Sequence, residues 1–147
     1  MFVWGDSIGR VLRHRMRQEH ARREDMASRQ RRVARFCSQK LLPALESLRP
    51  ELEDHGRELD IRRDGNVVHF TVFHRGRVEF RHSVLVSRRS KLPARRNGYY
   101  RDGQGYGRNV DQVYTLSQLR WTSRAAIVRR VVAEFRKVVG TSATARF

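Results

Sequence analysis

Apolar residues recur every three or four positions in the first third of the chain, which predicts a helical region over residues 6–54. A first apolar stripe consists of Trp4, Ile8, Val11, Leu12 and Met16. A second stripe covers residues 33–48, and Pro43 interrupts it, which predicts a kink or a restart because proline lacks the backbone N–H. The polar stretch between the stripes is compatible with a solvated spacer, a basic helix lying on phosphates, or a partner-binding helix.

The period changes from helical to alternating between residues 58 and 86, which predicts antiparallel strands. In residues 67–74, Val68, Phe70 and Val72 share one face, opposite a mixed face with His69, Thr71 and Phe73. Two dipeptides typical of hairpin turns, Asp64-Gly65 and Arg75-Gly76, separate the runs. Residues 110–116 are a weaker candidate for a fourth strand. The sequence therefore predicts a three- to four-stranded antiparallel meander.

A second amphipathic helix is predicted over residues 122–139, with Thr122 or Ser123 as its N-cap and Gly140 after its end. Its apolar stripe consists of Ile127, Val128, Val131, Val132, Phe135, Val138 and Val139. We expect this stripe to pack on the apolar face of the sheet. The fold class is thus α+β, in a single domain over residues 1–147: a long, kinked N-terminal helix, the meander and the C-terminal helix.

The charge of the chain narrows the classes of partner. A formal net charge of +17 and a pI near 11.6 favour anionic polymers, with nucleic acid first among them. The single cysteine, Cys37, leaves no internal disulfide and no cysteine pair for zinc. We expect a cytoplasmic protein that binds no membrane, because the sequence has neither a long apolar run nor the order of a signal peptide. No cofactor or metal is predicted, and the oligomeric state is left open.

The candidate site is the basic, tyrosine- and glycine-rich segment over residues 88–108, which is predicted to be an irregular loop. Guanidinium groups neutralise phosphates, and tyrosine rings stack on unpaired bases. The predicted nucleic-acid-binding residues are Arg81, Arg88, Arg89, Lys91, Arg95, Arg96, Tyr99, Tyr100, Arg101, Tyr106 and Arg108. This composition predicts a non-catalytic nucleic-acid-binding protein, with RNA favoured over DNA and single-stranded regions favoured over duplex.

Two other functions compete with this prediction. A module that docks onto an acidic protein surface would use the same charges. A metal-free ribonuclease would need His69 and His82, on adjacent predicted strands, to meet near Arg81 and Tyr100. Strand parity puts His82 on the apolar face with Phe80 instead, so we assign no catalytic residues and expect no enzymatic activity.

Overall fold

The first apolar stripe and the polar spacer lie on one long helix. The computed structural model describes residues 4–90, 95–96, 99–102, 105–106 and 110–144. Helix α1 runs from Trp4 to Phe36. Residues 5–28 are exposed except for half-buried Gly9, and Val33 is the first buried residue after them. Only the last two turns of α1 therefore join the core.

The predicted break at Pro43 is confirmed, and its local form is a π-helical turn at Cys37–Leu41. The amide of Leu42 donates to the carbonyl of Cys37, five residues back, and helix α2 (Leu42–Glu46) carries Pro43 in its first turn. Because Pro43 has no N–H, it cannot bond the carbonyl of Gln39. The Nε of Arg124 donates to that carbonyl at 3.0 Å. Helix α3 (Arg49–Asp54) follows.

Three antiparallel strands form the meander that alternation predicts: β1 (Arg57–Asp64), β2 (Val67–His74) and β3 (Arg77–Val86). Each turn needs a positive φ, which L-residues resist; glycine supplies it in both turns, and Arg75 also adopts it in the second. Gly65 has φ +59° in the first turn, while Arg75 and Gly76 have φ +54° and +74° in the second.

Short strands also occur within residues 88–108, where the sequence predicts an irregular loop. They are β4 (Arg95–Arg96), β5 (Tyr99–Asp102) and β6 (Gly105–Tyr106), paired antiparallel in the order β4-β5-β6. The expectation of no regular structure is wrong for these residues. It gave too much weight to the glycine content, since an Asn-Gly dipeptide at 97–98 is itself a strong hairpin signal.

Strand β7 (Gln112–Tyr114) is the predicted fourth strand, and it completes a sheet of order β1-β2-β3-β7. Its expected antiparallel direction is wrong, because β7 pairs with β3 in parallel. The chain leaves β3 after Val86 but returns at the level of Val84 before β7 begins, so both strands run the same way. The sheet is therefore mixed.

Two helices follow. Helix α4 (Leu116–Leu119), which the sequence analysis missed, opens with a capping box between Thr115 and Gln118. Helix α5 spans Arg124–Thr144, longer than the predicted 122–139, and continues through Gly140 instead of ending before it. Ser123 is its cap, since its Oγ accepts from the amide of Ala126 at 3.1 Å.

One apolar core joins the helices to a single face of the four-stranded sheet, as predicted for α5 and the meander. The sheet contributes alternate residues, among them Val68, Phe70 and Val84, which are at most 1% exposed. Ile127 and Val131 of α5 pack against this face. The other helical core residues are Val33, Phe36, Cys37, Leu41, Ala44, Leu45, Leu116 and Leu119. The opposite face of the sheet contributes nothing to this core.

Candidate nucleic-acid interface

The basic segment leaves and rejoins the body of the protein at one place. The amide of Ser87 donates to the carbonyl of Tyr114 at 2.8 Å, and that of Leu116 donates to the carbonyl of Arg89 at 3.0 Å. The Oγ of Ser117 donates to the carbonyl of Ser90 at 3.4 Å. These bonds hold residues 87–90 against residues 114–117. We call the segment between them, which contains β4, β5 and β6, the excursion, and the bonded residues 87–90 and 114–117 its foot.

Two arginines of α1 contact the foot of the excursion. Arg29 Nη1 donates to the carbonyl of Arg88 at 3.3 Å, and Arg32 Nη2 donates to the carbonyl of Leu116 at 3.3 Å. We call Arg29, Arg32, Arg88 and Arg89 the foot cluster. Arg29 also pairs with Asp25, Nε to Oδ2, at 3.0 Å, whereas no carboxylate of the described residues forms an ion pair with the other three. The cluster thus concentrates positive charge beside the excursion.

The sequence analysis included Arg88 and Arg89 but missed Arg29 and Arg32. Their contacts span 59 and 84 residues along the chain. No local pattern carries information on such distant contacts, so only the folded structure could add these two arginines to the site.

The small sheet sorts the predicted site residues by backbone register. Arg96 pairs with Tyr99, and Arg101 pairs with Tyr106. Because neighbours across an antiparallel pair share a face and alternate residues of a strand do too, these four positions belong to one face, which we call the Arg/Tyr face. Arg95 and Tyr100, paired with each other, belong to the opposite face. Both faces thus combine a cationic and an aromatic residue type.

The remaining predicted residues are distributed as follows. Arg81 is exposed on β3, outside the foot cluster and on the sheet face away from the core. Its cross-strand neighbour is Thr71 of β2. Lys91 and Arg108 lie outside the described residues.

The mixed face of the four-stranded sheet exposes less side-chain surface than base stacking would need. Thr71 and Ser83 are only 6% and 4% exposed, and His69 and Phe73 are half-buried. His69 Nδ1 lies 2.8 Å from Ser83 Oγ, so both groups are already hydrogen-bonded. Of these residues, exposed Arg81 is the one best placed to bind an anion.

The geometry separates the two histidines of the ribonuclease hypothesis. His69 pairs with Ser83, whereas His82 pairs with Phe70 of the core face. His82 is 2% exposed, stacks on Phe80 with ring centroids 5.9 Å apart, and places Nε2 3.2 Å from Gln112 Oε1. A shared active site would need both imidazoles on one face. The prediction that His82 belongs to the apolar face is confirmed.

Asp111 completes a serine, histidine and aspartate group that is not a catalytic triad. Its Oδ2 accepts from the amide of Ser83 at 2.9 Å, and its own amide donates to the carbonyl of Ser83 at 2.9 Å. In a triad the carboxylate would instead orient the imidazole. Here the carboxylate fastens the chain just after the excursion to β3.

A cavity of about 310 Å³ lies on the core side of the sheet, away from the foot cluster. Its floor and walls include Leu52 of α3, Phe70 of β2 and Phe135 of α5, and Arg57 and Arg136 are among its few charged residues. This mostly apolar lining does not suit phosphate. Within the described residues, no group of three or more histidine, cysteine, aspartate or glutamate side chains could hold a metal ion.

Among the described residues, none of the helices combines the length and the apolarity that crossing a bilayer requires. No protein-family model, curated protein or solved structure matches this chain.

Proposed function

We propose that the protein binds nucleic acid without catalysing a reaction, using the Arg/Tyr face together with the foot cluster. The observation that carries this proposal is the register of the small sheet, which assigns Arg96, Tyr99, Arg101 and Tyr106 to one face. Two arginine and two tyrosine positions thus share one face. This face belongs to the excursion, and further arginines lie at the foot of the excursion.

Electrostatics supports the proposal. The chain has 32 basic and 15 acidic residues, so most of its positive charges have no acidic residue to neutralise them. No described carboxylate forms an ion pair with Arg32, Arg88 or Arg89. The Arg32 side chain donates to the carbonyl of Leu116, and the carbonyl of Arg89 accepts from the amide of Leu116. Neither carbonyl carries a net charge that would neutralise a guanidinium group. A polyphosphate would neutralise these groups and release its own counterions, which is the main driving force of nonspecific nucleic-acid binding.

The tyrosines favour unpaired bases. A tyrosine ring can stack on a base whose face is open, whereas in a duplex both faces are already stacked on neighbours. Arginine contributes by stacking its planar guanidinium as well as by its charge. The combination supports single-stranded RNA as the preferred ligand, with single-stranded DNA next.

The test compares the two faces of the small sheet in the full chain. On single-stranded RNA, Tyr99→Ala is expected to lower affinity by about ten- to hundredfold, because one stacked base contributes about 1–3 kcal/mol. Combined Arg96→Ala and Arg101→Ala substitutions should reduce the log–log salt slope by about 0.7 for each lost phosphate contact. Fluorescence anisotropy over a salt series measures both quantities.

Tyr100→Ala and Arg95→Ala are the matched controls, since they change the same residue types on the opposite face of the same sheet. Each should alter RNA affinity by less than about twofold if binding uses the Arg/Tyr face. Equal losses from both faces would contradict a one-sided interface. An unchanged salt slope in the Arg96 and Arg101 variant would exclude that face as the phosphate site.

The alternative, docking onto an acidic protein surface, predicts a different outcome. Both functions give salt-sensitive binding, but only the proposed function gives it with purified nucleic acid and no protein partner. Weak binding to every nucleic acid near physiological salt would favour the alternative.

A further inference from the structure

The first 25 described residues of α1 form an unsupported helix with an exposed apolar stripe. Ile8, Val11, Leu12, Met16 and Met26 are between 45% and 68% exposed. In proteins, helices gain most of their stability by packing an apolar face against other elements. We therefore expect another surface to cover this stripe.

We propose that this surface is the same segment of a second copy, packed antiparallel about a twofold axis that crosses the pair at the level of residue 17, on the side of the helix opposite the Arg17 side chain. Helical residues advance by about 100°, so Ile8 and Met26 lie on the same line of the helix, about five turns apart. Arg15 and Glu19 lie close to that line, midway between them, and already form an intrahelical ion pair with Arg15 Nε 3.9 Å from Glu19 Oε1. The stripe is thus apolar at both ends and oppositely charged in its centre.

Antiparallel packing gives each of these side chains a complementary neighbour. Ile8 meets Met26 of the second copy, Arg15 meets the second copy's Glu19, and Met16 meets its own counterpart beside the axis. Val11 and Leu12 come to lie on the aliphatic stems of Arg22 and Arg23 of the second copy, whose guanidinium groups can still reach water. These pairings follow from helical geometry because the positions in each pair are equally distant from residue 17 to within one residue.

The distribution of charge favours the antiparallel direction over the parallel one. Residues 4–17 carry four arginines and one aspartate, while residues 18–28 carry three acids and two arginines. Antiparallel packing places the basic half of one helix beside the acidic half of the other. Parallel packing would place both basic halves side by side.

The charge of the whole chain favours the same direction. Each copy carries a formal charge of +17, so two bodies held side by side would repel. Antiparallel helices place the bodies at opposite ends of the pair. Counted from buried Val33 of each copy, the bodies begin about 48 Å apart along the axis at about 1.5 Å per residue. This separation is about five Debye lengths at 0.1 M salt, so the repulsion is largely screened.

The polar centre of the stripe argues against other occupants. On an anionic lipid surface Arg15 could reach the headgroups, but Glu19 on the same line would be repelled by them. Nucleic acid would engage arginines and leave the apolar side chains exposed. A second copy satisfies the apolar residues and the Arg15 and Glu19 charges together.

The direction of packing is tested by disulfide formation in the full chain, where native Cys37 is 0% exposed and does not compete. An Ile8→Cys chain mixed with a Met26→Cys chain should give the mixed disulfide in preference to either homodimer under mild oxidation. Met16→Cys alone should cross-link to itself. Arg17→Cys, on the opposite side of the helix, is the control and should remain reduced. Preferential Ile8→Cys homodimers, or equal cross-linking by Arg17→Cys, would overturn the proposal.

Association is tested by sedimentation velocity on nuclease-treated protein, since a monomer has a mass of 17.4 kDa. Arg15→Glu and Glu19→Arg should each weaken the dimer by about tenfold or more, and the double exchange should restore it to within about threefold. Arg17→Glu and Glu24→Arg are matched controls on the outer side of the helix and should leave the dimer unchanged. Circular dichroism checks that each variant keeps its helix.

Three results would overturn the proposal. The first is a wild-type chain that remains monomeric up to about 0.1 mM, a concentration well above the micromolar dissociation constant of an ordinary specific dimer. The second is a double exchange that dimerises no more tightly than the single variants, and the third is a monomer that binds anionic vesicles and loses this binding on Ile8→Ser. The last result would identify a lipid surface as the occupant.

Discussion

Arg57 and Glu79 form the least exposed ion pair of the described residues. Nε and Nη2 of Arg57 lie 3.0 and 3.1 Å from the two carboxylate oxygens of Glu79. The Nη1 of Arg57 donates to the carbonyl of His55 at 3.0 Å, so the guanidinium joins β1, β3 and the end of α3. The side chains are 24% and 18% exposed, which limits screening by solvent. The hydrogen bond from Arg57 lowers the pKa of Glu79 below its ordinary value of 4.5, and partial burial opposes this shift.

Replacing Glu79 by glutamine should therefore destabilise the fold in a pH-dependent way. The folded-state pKa of Glu79 lies below the unfolded one, so the stabilisation from the charged pair is complete above the unfolded pKa and is lost as the pH falls through the folded-state pKa. At pH 7, Glu79→Gln should lower the free energy of unfolding by about 1–2 kcal/mol. The difference from wild type should shrink toward zero in strong acid.

Urea denaturation at a series of pH values measures both effects. Glu58→Gln is the matched control, because Glu58 is exposed on β1 and forms no ion pair with a described residue. A constant difference between Glu79→Gln and wild type from neutral to strongly acidic pH would contradict the assigned role of the carboxylate.

At the scale of elements, Pro43 couples the helical region to α5. The carbonyl of Gln39 loses its ordinary partner because Pro43 has no N–H, and Arg124 Nε takes that place at 3.0 Å. Arg124→Ala should lower the free energy of unfolding by about 0.5–1 kcal/mol, a modest value because the bond lies near the surface. In a Pro43→Ala background the new backbone amide can donate to the carbonyl of Gln39. Arg124→Ala should therefore lower the free energy of unfolding by less in that background.

A double-mutant cycle by thermal or urea unfolding measures this coupling. Arg129→Ala is the control, since Arg129 is also exposed on α5 and its side chain forms no hydrogen bond or ion pair with a described residue. Equal costs of Arg124→Ala in both backgrounds would show that the guanidinium does not replace the missing amide.

Elements that depend on local signals were predictable from the sequence. The alternation over residues 58–86 and the glycine turns located β1, β2 and β3 because strand period and positive φ are local properties. The parallel direction of β7 was not predictable, since it depends on where the chain returns after the excursion. The end of α5 was missed because a glycine in a helix has only a modest cost, which other residues can offset.

The candidate site was likewise only partly predictable from the sequence. Composition alone identified the residues of the excursion, but only pairing registers separate Arg96 and Tyr99 from Arg95 and Tyr100. The exposure of the N-terminal stripe was also hidden from the sequence. A periodic apolar stripe predicts burial, and whether the chain itself provides the covering surface is a tertiary property.

At the scale of the whole molecule, the net charge of +17 attracts any polyanion. In the function we propose, the Arg/Tyr face adds a preference among polyanions. These contributions respond differently to salt. Phosphate contacts weaken steeply as salt rises, because counterion release becomes less favourable. Stacking on tyrosine depends little on salt, so it should account for a growing share of the remaining affinity.

The wild-type chain should therefore distinguish its ligands more sharply at higher salt. If about six phosphates are contacted, affinity for single-stranded RNA should fall about a hundredfold between 0.1 and 0.3 M salt. Its preference over duplex DNA should increase across that range, since the duplex has the steeper slope per contact and offers no open base faces. Poly-glutamate of matched length is the control for charge without bases, and it should bind more weakly than RNA throughout. Equal affinity for poly-glutamate and RNA, or a preference that vanishes as salt rises, would mean that charge alone drives binding and that the tyrosines serve no stacking role.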